Sequence, residues 1–196
     1  MKNTIYIVAI IGLLFTGCKN EKKQTSTTPT HSKEMKMDEN QYMTTDVDNE
    51  TTQKSDLITV ILDSYLQLKN ALVQDDNKMA AKAGEKMLTA FSNFEMSKLT
   101  GETHIKYMDI AESSKEHAEH IIKSDIGHQR EHFESLTIDI NDLITLLGTN
   151  KTLYQDFCPM YNNNKGAMWL SEIKEIKNPY FGSKMLKCGK VQKQIN

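Results

Sequence analysis

From Ser55 onward, apolar residues recur at helical spacing. Leu57, Ile61, Tyr65, Leu68 and Leu72 step by four, four, three and four, the intervals that stack side chains on one helical face. Ser55 or Asp56 is placed to cap this run, and Asp75-Asp76-Asn77 ends it in a turn. A second run carries Met79, Ala83, Met87, Ala90, Phe91 and Phe94; Gly84 within it costs about 1 kcal/mol relative to Ala. After Thr100-Gly101, a third run sets Ile105, Met108, Ala111, Ala118 and Ile122 on one face. The fourth is the most regular. Phe133, Leu136, Ile140, Leu143 and Leu147 alternate steps of three and four, between Ser124-Asp125 as a start and Gly148 as a stop.

Four such runs of about 17–23 residues, joined by short turns, predict an all-α fold, an up-and-down four-helix bundle. No strand-period stretch longer than a few residues competes with it. The pattern changes after residue 150. Gly166 to Lys177 reads as a short helix burying Met168, Trp169, Ile173 and Ile176. The rest of the tail reads as an irregular segment packed on the bundle, so that residues 55–190 form one domain.

The N-terminus has a different character. Lys2 precedes an apolar run from Ile5 to Phe15, too short to span a bilayer and typical of a secretory signal. Phe15-Thr16-Gly17-Cys18 resembles a lipoprotein signal-peptidase site. Residues 1–17 are then a signal peptide, and Cys18 becomes the lipidated first residue; an ordinary cleaved signal with an incidental cysteine is the alternative. Residues 19–54 hold eight threonines and seven acidic residues, with Val47 as the only aliphatic. Such a segment buries too little apolar surface to offset its ordering entropy, so residues 18–54 read as anchor and disordered tether. The expected location is the cell envelope, on the periplasmic face of the outer membrane.

Charge divides the domain. Residues 55–150 carry nine basic and sixteen acidic side chains, whereas 151–196 carry eight basic and three acidic. A basic tail can fold back on an acidic body. The overall charge of −2, together with export, argues against nucleic acid as a partner. No Gly-rich phosphate loop, nucleophile elbow or zinc-protease helix motif occurs, and the plentiful acids lack the paired Glu-x-x-His of a di-iron bundle. Binding is therefore expected rather than catalysis.

Sulfur carries the most specific chemistry. Cys158 and Cys188 each lie near a methionine, as Cys158-x-Met160 and Met185-x-x-Cys188. Thiolates and thioethers suit soft ions, so Cys158, Met160, Met185 and Cys188 make a candidate Cu(I) or Ag(I) site. Trp169 and Tyr180 are either walls of its pocket or ordinary packing aromatics. Export also permits a Cys158–Cys188 disulfide, closing a loop of about 30 residues and contributing roughly 3–4 kcal/mol; inert thiols are the third reading. In the tether, His31, Met35, Met37 and Met43 form a possible low-affinity copper collector. His117 and His120 are three apart and His128 and His132 four apart, spacings that place each pair on one helical face and allow a metal site between helices. His132, beside Phe133, joins the sulfur set as a further candidate ligand.

Several stretches of the tail also carry a resemblance. Cys158-Pro159-Met160, Gly166-Ala167-Met168-Trp169-Leu170, Asn178 to Gly182 and Met185-Leu186-Lys187-Cys188-Gly189, with Gln129-Arg130-Glu131-His132-Phe133 upstream, resemble a family of bacterial exported proteins filed as domain of unknown function 3347. The likeness spans roughly residues 55–190. It implies a helical domain associated with heavy-metal efflux, because similar domains occur attached to periplasmic adaptors of copper and silver exporters. The adaptor's own hairpin and barrel have no counterpart in this chain, so the role implied is an accessory one. The resulting expectation is a lipid-anchored Cu(I)- or Ag(I)-binding protein with a copper/silver efflux adaptor as partner. Its rival is a non-catalytic interaction module stapled by Cys158–Cys188.

Overall fold

A computed structural model describes residues 56–196. The expected signal peptide (1–17), lipidated Cys18 and tether (18–54) lie outside the described residues. Four long helices come first: α1 (Thr59–Val73), α2 (Asn77–Ser92), α3 (Gly101–Lys123) and α4 (Ile126–Leu147). Their boundaries follow local chemistry. Asp76 accepts the Met79 N–H at 2.9 Å and caps α2. Asp125 accepts the N–H groups of Gly127 and His128 and caps α4, which ends at Gly148 in a positive-φ conformation. The cap expected from Asp56 is not made; its carboxylate instead accepts the Asn150 side-chain amide at 2.7 Å.

Each helix packs chiefly on the next in sequence, while α1 and α4 also meet each other. Phe133, Leu136, Ile140, Leu143 and Leu147 are all buried, so α4 presents the face its spacing predicts. The third helix does so only in part: Ala111 and Ala118 are buried and Ile122 is half-buried. Ile105 and Met108 are 62% and 43% exposed, and Tyr107, Ala111, Ser114, Ala118 and Ile121 form the buried face. Tyr107 stacks on Phe94 with ring centroids 4.0 Å apart. That aromatic contact, together with the small residues that let neighbouring helices approach, sets the phase against the two larger aliphatics.

The fold is not all-α. The tail forms a three-stranded antiparallel sheet of β1 (Leu153–Cys158), β2 (Ala167–Ser171) and β3 (Lys190–Ile195), in the order β2-β1-β3. The short helix expected over 166–177 is replaced by β2, which pairs with β1 so that Cys158 faces Ala167 and Asp156 faces Trp169. Ile173 is largely exposed and Ile176 only half-buried, so the apolar face such a helix needed has no core to cover. What makes the strand is its partner. Between β1 and β2 the chain reverses through Asn162, Asn163 and Asn164, all with positive φ, a conformation that asparagine tolerates better than most residues.

Two polar knots join sheet and tail to the helices. The buried Tyr65 hydroxyl of α1 hydrogen-bonds the Thr137 hydroxyl of α4 at 2.8 Å and accepts the Leu170 N–H of β2 at 3.0 Å. Arg130 of α4 donates to the carbonyls of Pro179 and Leu72 and to the Asp75 carboxylate at 2.6 Å. Asp75 also accepts the Ser183 N–H at 3.0 Å. The Ser183 and Arg130 donors hold its carboxyl down at about 2.

Candidate functional site

The tail brings its two thiols together. Cys158 ends β1 and is buried; Cys188 lies just before β3 and is half-buried. Both are free, and their sulfurs are 3.0 Å apart. Hydrogen bonding to Cys158, then burial, pushes the Cys188 thiol up to about 11.

Asn178 accounts for this meeting. Its buried side chain accepts the N–H groups of Tyr180 at 2.8 Å and Phe181 at 3.2 Å, which folds Asn178-Pro179-Tyr180-Phe181-Gly182 into a turn. The same side chain donates to the Cys188 carbonyl at 2.7 Å, and the Asn178 N–H donates to Leu186 at 2.9 Å. Gly189 completes the approach. Its φ is +140°, and a Cβ there would lie 2.8 Å from the Trp169 ring and 3.0 Å from the Phe157 carbonyl. Only glycine lets the chain lie this close to the sheet and set Cys188 beside Cys158.

The other sulfur candidates are placed differently. Met185 belongs to the turn that ends at Cys188, whose N–H donates to the Met185 carbonyl at 3.0 Å. Met160 is 50% exposed and lines a groove with Glu131, Glu134, Tyr161 and Phe181. Trp169 and Tyr180 are buried core aromatics in edge-on contact, and the Tyr180 hydroxyl donates to the Met168 carbonyl. Trp169 packs over Gly189, next to the thiols.

A buried acid lies two residues from Cys158. Neither carboxyl oxygen of Asp156 has a hydrogen-bond partner among the described residues, and neither has the indole N–H of Trp169 on the facing strand. Burial pushes the Asp156 carboxyl up to about 7, a rise that the Lys69 ammonium partly opposes. Burial also lowers the pKa of Lys69.

The neighbours of His132 are histidines. Its Nε2 is 3.1 Å from His128 Nε2 and its Nδ1 is 3.0 Å from His117 Nδ1. His120 stacks on its ring with centroids 4.2 Å apart. Burial, and then the charges of these three rings, lower the His132 pKa. The i,i+3 and i,i+4 spacings foretold two pairs, and the contact between α3 and α4 merges them into one cluster. The structural roles of Asp75, Arg130 and Asn178 were not foreseen. Asn before Pro signals a turn, but neither its grip on Cys188 nor the Arg130–Asp75 pair leaves a local trace.

The molecule is thus a helical domain with an appended antiparallel sheet and two clusters of metal-type side chains, one of sulfur and one of imidazole. Residues 61–152 match the model of the family described as "Protein of unknown function (DUF3347)", so the helical body is similar to that family's domain. The match includes the four histidines and ends before both tail cysteines. No curated protein and no solved structure matches the chain.

Proposed function

We propose that the protein binds Cu(I) or Ag(I) through the Cys158–Cys188 pair, as a lipid-anchored envelope protein accessory to copper or silver efflux. The supporting observation is the convergence of two thiols, thirty positions apart in sequence, to 3.0 Å. Thiolates are the strongest soft-ion donors a protein offers, and Met185 and Met160 are the candidate thioethers that complete the set. Because the Cys188 thiol is raised to about 11, metal must displace its proton, and apparent affinity rises with pH. In this reading the helices act as an up-and-down bundle carrying the sheet. Cys18 holds the molecule to the outer membrane, and an efflux adaptor receives the ion. Among the described residues no helix is long and apolar enough to cross a membrane.

Native mass spectrometry after mild reduction, with Cu(I) delivered from a competing chelator, tests the reading. One Cu(I) per chain is expected, lost in Cys158→Ser and Cys188→Ser and weakened in Met185→Leu. Absence of an adduct, or one indifferent to both cysteines, rejects it. The same sulfur proximity favours a second reading, an interaction module stapled by a Cys158–Cys188 disulfide. A chain two hydrogens lighter, resistant to reduction and unable to take Cu(I), supports that alternative.

A further inference from the structure

We propose that His120, His128 and His132 form a second metal site, for a divalent first-row ion of the Zn(II) or Cu(II) class, independent of the thiols. Ligand nitrogens of these three residues lie within 4.8 Å of one another. The contacts around them orient the rings. A carboxylate only accepts, and Glu131 sits 2.7 Å from His128 Nδ1. That nitrogen therefore carries the hydrogen, and His128 Nε2 is bare. At the other end, His132 Nδ1 lies 3.0 Å from His117 Nδ1.

His132 Nε2 lies 3.1 Å from the bare His128 nitrogen, and a divalent ion that displaces the shared hydrogen takes both lone pairs. Two imidazoles on a tetrahedral ion, each at the usual metal–nitrogen distance, stand about 3.3 Å apart, so this pair need move little. His120, whose ring stacks nearly parallel on His132, turns about its side-chain bonds to bring the third nitrogen to the ion. Glu131 and His117 act as positioning residues that fix ring tautomer and orientation, the arrangement in which a metal-bound histidine gives its other N–H to a carboxylate or a neighbour. Imidazole donors select borderline divalent ions rather than the soft monovalent ions suited to sulfur. His120 and His128 are exposed, which leaves an open coordination position and a path for exchange with solvent.

Titration of the reduced full-length chain with Co(II) alone, followed by Zn(II), tests the site. One Co(II) per chain is expected, with ligand-field absorption in the visible, no sulfur-to-cobalt charge-transfer band, and displacement by Zn(II). His128→Gln and His132→Gln should each weaken binding at least about tenfold, and Glu131→Gln about tenfold through loss of orientation. Circular dichroism checks that these surface changes keep the helices. Cys188→Ser should leave the titration unchanged. No binding by the wild-type chain, binding unaltered by His132→Gln, or binding lost in Cys188→Ser each overturns the proposal. Because the probe is divalent and the thiols are read separately, the outcome is independent of the Cu(I) reading.

Discussion

The helical body and the tail are built on different principles. In the body, each helix packs on its sequence neighbour, and a face repeated every three or four residues is enough to state the structure. The tail relies on long-range pairings: Cys158 with Cys188, Asn178 with the Cys188 carbonyl, and Asp75 with Ser183 across 108 positions. The body tolerates a misplaced face because neighbouring side chains redistribute. The tail depends on single atoms, such as one carboxylate shared by an arginine and a backbone amide. The two clusters divide in the same way, the imidazoles on regular helices, the thiols at a strand end and in a turn.

The sharpest way to break this contrast is at Gly182. Its φ is +55°, and a Cβ would lie 2.1 Å from Asp75 Oδ1 and 2.6 Å from Arg130 Nη2. Gly182→Ala should cost about 3 kcal/mol or more in urea unfolding, since backbone strain adds to loss of the Arg130–Asp75 knot. Undocking of the tail should speed alkylation of Cys188 while helical circular dichroism persists; equal loss of both signals would show that body and tail unfold as one.

A smaller effect comes from Asp156. Its folded-state pKa is raised to about 7, so the fold favours the neutral acid. That stabilisation is complete below the ordinary carboxyl value of about 4 and is lost as pH rises through about 7. Thermal stability should therefore fall between about pH 4 and about pH 7, and Asp156→Asn should flatten the fall. An unchanged slope in the variant would place the sensitivity elsewhere.

The smallest effect is expected in the body. Ile105→Gln and Met108→Gln, both on the exposed side of α3, should each change stability by less than about 0.5 kcal/mol, and a denaturation midpoint shifted well beyond that would restore the face predicted by spacing.

Legibility followed the same division. The α4 seam could be read because large aliphatics and an aromatic occupy most of its core positions, with Gln129 and Thr137 as the buried polar exceptions. In α3 the buried face is mostly alanine and serine, so Ile105 and Met108 outweighed the true face in any count of hydrophobicity. The sheet was hidden because β1 and β2 are short and only their pairing makes them strands. Trp169, Leu170 and Ser171 are consecutive and all buried, which breaks the strict alternation that marks a strand. For the candidate sites, the histidine pairs were visible as spacings, but their merger required knowing that α3 and α4 touch. The cysteines stood out as a motif, and their contact depends on an asparagine that no periodicity reveals.

That asparagine has a practical consequence. Asn178 works as a double-ended rivet, with one end closing the aromatic loop and the other clamping the main chain at Cys188. Replacing it to retune the sulfur gap would unfasten the loop at the same stroke. An engineer wishing to widen or narrow the gap must therefore work from the Cys158 side, where the backbone is held by strand pairing and the loop can be left alone.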